Sequence, residues 1–189
     1  MEPALCQDPT HGHPLGGGGW WRKAYAELLQ QVRAAAPGMP LTTECNAEPY
    51  VDQLDGYLTW HQMFPGQVPA FPSLYSGKVR TFGRHHRGEP TLPELRSMLA
   101  QAFLFGEQLG WIAPEALLLL GEPLAAFIRL LVGLRQQLRP FFNEGEMLRP
   151  PELETTQSAY RWGWEPRRTL LPDVMAARWR CGGETRLLL

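Results

Sequence analysis

The sequence predicts an α/β chain that holds the later part of a (β/α)8 barrel, and three observations carry that expectation. A helical pattern over 20–36 runs into a short strand, 41–43, which ends on Glu44 and breaks into the polar stretch 45–55. A second strand-like run, Gly-Tyr-Leu-Thr-Trp at 56–60, is aromatic and β-branched and follows directly. After residue 146 the pattern changes to short alternating stretches separated by turns. Helix, short strand and an acid at the strand's C-terminal end form the unit of a parallel barrel, where the chemistry sits at the C-terminal strand ends.

In chain order, 3–8 reads as the tail of a strand ending at Asp8, followed by a Gly- and Pro-rich loop, 9–19, that carries His11 and His13. That loop lacks the spacing of a dinucleotide fingerprint. In the helix 20–36, Trp21, Ala24, Tyr25, Leu28, Val32 and Ala35 recur at three- and four-residue steps, and Pro37-Gly38 stops it. A third strand is expected over 68–75, and 76–87 reads as a basic, glycine-punctuated loop. Thr91-Leu-Pro-Glu94 is a capping box, predicting a helix to about Leu109. A short helix, 114–120, and a long one, 123–138, follow. Residues 146–152 read as a linker, 158–164 and 174–180 as strands, 181–184 as a turn and 185–189 as a returning strand. Three or four parallel-type strands precede residue 90, whereas a closed barrel needs eight and about 250 residues. The front of the barrel is therefore expected to lie outside this sequence, or the protein completes itself by another route.

The totals fit a globular chain. Of 189 residues, 44% are hydrophobic and 20% charged, and the formal net charge of -1 offers no general attraction to nucleic acid or an anionic membrane. The longest apolar run, 116–120, is too short to span a bilayer. Three separated cysteines argue against a disulfide framework. The N-terminal residues carry no signal-peptide pattern, giving a cytoplasmic location by default. Seven Trp, five Tyr and eight Phe supply either core or flat platforms on which sugar rings pack.

Two segments carry a family resemblance. One is Cys6-Gln-Asp-Pro-Thr-His-Gly-His13 with its glycines and Trp20-Trp21; the other is Leu41-Thr-Thr-Glu-Cys-Asn-Ala-Glu-Pro-Tyr50 with Asp55-Gly-Tyr-Leu58 and Leu74-Tyr-Ser-Gly77. Together they resemble a bacterial, glycoside-hydrolase-like barrel family of unknown function. Gly106-Glu-Gln-Leu-Gly-Trp111 and Gly145-Glu-Met-Leu-Arg-Pro-Pro151 are similar to the end of the barrel in α-galactosidase-like and endo-α-N-acetylgalactosaminidase-like enzymes. There the last barrel helix gives way to a β-sandwich. The resemblance thus implies a partial barrel over 1–150 and a truncated sandwich start over 151–189.

It also implies a carbohydrate substrate, no cofactor, and hydrolysis of O-glycosidic bonds by two carboxylates flanking the scissile bond. Asp8 would be the nucleophile and Glu44 the acid/base. The plain alternatives are that Asp8 caps its loop and Glu44 pairs with an arginine. His11, His13, Glu48 and Asp55 are candidates to hold sugar hydroxyls, and Trp60 and Tyr75 are candidate stacking platforms. Arg80, Arg84, Arg87 and Lys78 read as a small solvated basic patch. A non-catalytic glycan binder, or an inactive relic, is the rival function. A metal-dependent hydrolase built on the histidines is a weaker one, because His at i and i+2 on a loop is a poor ligand signature. Open strand edges predict self-association.

Overall fold

The structure, a computed structural model, describes residues 5–10, 12–17, 19–44, 48–59, 66–86, 89–162 and 167–189. It is mixed α/β. Helix α1 (Gly19–Ala35) lays Tyr25 and Leu29 against Tyr50, Leu54, Tyr57 and Val79, and this aromatic cluster backs the first sheet. Strands β1 (Thr42–Glu44), β2 (Gly56–Leu58) and β3 (Arg80–Phe82) form a parallel sheet in that order. Glu44 is level with Leu58, and Leu58 with Phe82. A fourth extended stretch continues the sheet beyond β3: the Gln108 N–H donates to the Thr81 carbonyl at 2.9 Å and the Trp111 N–H to the Arg84 carbonyl at 3.1 Å.

The third strand is not where the sequence predicts it. Residues 70–75 form helix α2 (Ala70–Tyr75). Pro72 falls in the first turn, where its missing N–H would have had no helical partner. The strand is β3, inside the stretch read as a basic loop. Among the described residues the parallel strands form an open sheet, and no closed barrel is present.

Helix α3 (Leu92–Leu104) starts with the expected capping box, the Glu94 carboxylate accepting the Thr91 N–H at 2.9 Å. Helix α4 (Pro114–Gln137) breaks at Gly121, whose φ of 59° and ψ of -149° separate the two helices expected there. By length and composition alone α4 could cross a membrane; its Leu124 and Leu131 are buried in the core of this chain. After α5 (Arg139–Glu144), strand β4 (Glu146–Leu148) occupies the predicted linker. Strands β5 (Gln157–Arg161) and β6 (Arg168–Pro172) pair antiparallel. Strands β7 (Ala177–Cys181) and β8 (Glu184–Leu188) join β4 in the order β4-β7-β8. The β7–β8 turn is Gly182-Gly183, both at positive φ, as a two-residue hairpin demands.

The main core joins Leu95, Leu99 and Phe103 of α3 to Leu124 and Leu131 of α4, Phe141 and Phe142 of α5, Met147 of β4 and Trp179 of β7. Trp179 is 2% exposed, edge-on to Phe142 at 5.2 Å, and donates its indole N–H to the Leu104 carbonyl at 3.0 Å. The β4–β7 ladder and this core run across residue 150, the domain boundary placed from sequence. Trp179→Ala should therefore cost about 3–5 kcal/mol, the range for large aromatic truncations, in one transition. Urea unfolding followed by near- and far-UV signals would check it, and two separate transitions would contradict the shared core.

Candidate active site

Glu44 ends β1 at the C-terminal rim of the parallel sheet and is exposed. It enters none of the ion pairs formed by the described residues, so its carboxylate is committed to no arginine among them. Asp8 lies in a loop closed by paired backbone hydrogen bonds between Cys6 and Gly16, outside the parallel sheet. Its carboxylate accepts the Thr10 N–H at 2.8 Å and the Thr10 hydroxyl at 2.7 Å. These bonds hold it below the usual carboxylate range.

The other expected residues spread over the chain. The His13 ring stacks on Trp20 at 4.3 Å, and its Nδ1–H donates to the Pro14 carbonyl at 2.8 Å. The Tyr75 hydroxyl donates to Glu48 at 2.8 Å, while its ring packs on Phe71. These two are brought together, and each is engaged by the other. Asp55 stands just before β2, at the end of the sheet opposite Glu44. Arg33 and the Leu41 N–H, each at 2.7 Å, clasp its carboxylate and lower its pKa. His11 and Trp60 lie outside the described residues. No group of three or more His, Cys, Asp or Glu that could hold a metal occurs among the described residues.

Behind the rim lies a network that the sequence did not reveal. Arg84, expected in a solvated basic patch, is 0% exposed. Its guanidinium donates from Nε to Glu107 Oε2 at 3.0 Å, from Nη2 to Glu107 Oε1 at 2.5 Å, and from Nη1 to Gln101. The Thr59 hydroxyl also bonds Glu107, at 3.0 Å. Burial overturns the solvated reading, since a charge can be buried here only because a carboxylate meets it. Residue types alone could have flagged Glu107 as a partner, but the pair is separated by a whole helix in sequence.

His86, two residues beyond Arg84, is buried, and neither ring nitrogen has a hydrogen-bond partner among the described residues. Burial first, then the charges of Arg84 and His85, push it down to about 3, so it is neutral at pH 7. Glu94 is also buried. Burial would raise its pKa, but hydrogen bonds from Thr91 and Arg161 outweigh that and bring it to about 2. Both folded values lie below the unfolded ones, so the unfolded chain binds more protons in each window. Stability should fall as pH drops below about 6.5 through His86, and again below about 4.5 through Glu94, with a limiting slope near 1.4 kcal/mol per pH unit per proton. Urea midpoints from pH 7 to 3 would show this, and Glu94→Gln should flatten the lower limb.

Two apolar clefts lie elsewhere, one of about 300 Å³ that includes Phe105, Met147 and Trp162, and one of about 640 Å³ between α3, α4 and β6. Neither reaches Glu44.

The fold and the rim thus define a mixed α/β chain whose parallel sheet carries an exposed acid, Glu44, at its C-terminal edge. The sequence comparisons are glycoside-hydrolase-like. Residues 1–86 match the family described as "Domain of unknown function (DUF6259)". The chain is 32% identical over 184 residues to a protein of Bacteroides thetaiotaomicron named "Putative glycoside hydrolase", covering 92% of this chain and 26% of that protein. It is 36% identical over 112 residues to "Putative glycoside hydrolase 22789" of Monosiga brevicollis, covering 54% of this chain and 9% of that protein. The chain spans about a quarter of the length of the first of these relatives and under a tenth of the second.

Proposed function

We propose that this chain contributes the C-terminal rim of a carbohydrate-active hydrolase, with Glu44 as the acid/base at an O-glycosidic bond. The observation that carries it is the position of Glu44: an exposed acid at the C-terminal end of a parallel strand, in no ion pair among the described residues. The names of the relatives support a carbohydrate substrate. In this reading 1–150 derives from a (β/α)8 barrel of the α-galactosidase-like kind and 151–189 begins a sandwich. Asp8 is the proposed nucleophile. Its hydrogen bonds from Thr10 keep it ionised, the state a nucleophile requires.

One observation favours a second reading, glycan binding without cleavage. At the level of Glu44 the neighbouring strands present Leu58 and Phe82, so no second carboxylate adjoins it there. Glu44→Gln separates the two. Hydrolysis of aryl glycosides should fall by about 10²–10⁴-fold while saccharide binding survives. Normal hydrolysis by the variant would remove Glu44 from the mechanism.

A further inference from the structure

Trp111 is 54% exposed, whereas Trp162 and Trp179 are 0% and 2% exposed. An exposed indole on a free chain segment would call for no explanation, but the backbone that carries this one is fixed. The Trp111 backbone N–H donates to the Arg84 carbonyl at 3.1 Å, and its backbone carbonyl accepts the His86 N–H at 3.4 Å. The His85 ring stands edge-on to it at 5.6 Å. The preceding residue, Gly110, packs so closely that a Cβ there would lie 1.9 Å from the Arg84 carbonyl oxygen. Arg84 is in turn locked by Glu107 and Gln101. A rigid backbone frame therefore presents a large apolar ring to water, edged by His85, at the same rim of the sheet as Glu44.

We infer that Trp111, braced by His85, is a saccharide-stacking platform of the site that Glu44 serves. The inference rests on the carbohydrate reading above and deepens it. A flat indole face matches the apolar face of a pyranose ring, and the fixed backbone beneath it lowers the ordering cost of binding. The placement also sets the size of the ligand. Trp111 lies three strands from β1, about 14 Å at the usual strand spacing, and about 10 Å further along the strand direction. Sheet curvature shortens that path, but a single sugar at Glu44 does not span it. The platform therefore serves a sugar residue one or more units from the bond that Glu44 addresses, and the ligand is an oligosaccharide.

The experiment is a binding series on the full chain, by saturation-transfer NMR and calorimetry. The probes are the methyl glycosides of glucose, galactose and mannose and their trisaccharides. Wild type should bind at least one trisaccharide more tightly than its methyl glycoside. Trp111→Ala should erase that advantage, a loss of about tenfold, and Trp111→Phe should keep most of it. Glu44→Gln should retain it. If Trp111→Ala leaves the chain-length advantage intact, the platform is wrong, while Glu44-dependent hydrolysis would still stand. If wild type binds none of the probes, the platform and the carbohydrate reading fall together. Trp111→Ala should melt at the wild-type temperature, and a large loss of stability would make the indole a packing group and overturn the inference.

Discussion

Glu44→Gln should lower the turnover of aryl glycosides by about 10²–10⁴-fold while changing saccharide affinity little. The amide has nearly the same shape and still hydrogen-bonds a hydroxyl, but it can neither give up nor recover a proton in the pH range of catalysis. The residue is exposed and makes no ion pair among the described residues, so stability should stay within about 0.5 kcal/mol of wild type. Activity and stability are thereby separated in one variant. Asp8→Asn is the companion. If Asp8 is the nucleophile, it should abolish a covalent intermediate that Glu44→Gln still forms with an activated aryl leaving group. A glycosyl-enzyme trapped on Asp8 and seen by mass spectrometry would establish its role. Equal, full activity in both variants would remove both residues from the mechanism, whereas saccharide binding without hydrolysis by the wild type would favour the glycan-binding reading.

Legibility of this chain followed how local each signal is. The helix over 20–36 emerges as Gly19–Ala35, ended where Pro37-Gly38 stops it, but of the stripe read from sequence only Tyr25 is half-buried, and the buried residue is Leu29. The capping box at Thr91 and Glu94 and the Gly182-Gly183 turn were readable because each is a complete local device. Glu44 at a strand end was readable because a helix stop and a polar break frame the strand. Strand β3 was not. Its three residues are Arg80, Thr81 and Phe82, too few to show alternation and flanked by glycines and charges. What makes them a strand is pairing on both sides, with β2 and with the 108–111 stretch, and that pairing is non-local. The same blindness hid Arg84. A cluster of arginines in sequence looks solvated until the fold supplies Glu107. The platform at Trp111 was missed for a related reason: it reaches the rim only through the sheet, by pairing with the stretch after β3.

Arg84→Met should cost about 3–5 kcal/mol, the range for removing one member of a buried ion pair. The cause is less the lost attraction than the stranded partner. Glu107 is 2% exposed and would keep only the Thr59 hydroxyl as a described side-chain partner. Gln101, in the buried face of α3, would lose its guanidinium as well. Removing both charges should therefore be milder than removing one. Arg84→Met with Glu107→Leu is expected to recover much of the loss, since apolar replacements of similar volume often match a buried pair. A double-mutant cycle by urea unfolding would measure the coupling. If Arg84→Met alone costs under about 1 kcal/mol, in the range of an exposed pair, the pair is not buried as described. The cycle also bears on the rim. The ends of β2 and β3, the 108–111 stretch and α3 meet on these side chains. If the network holds Trp111 in place, the double variant should fold yet lose saccharide affinity, a combination that a purely stabilising pair would not produce.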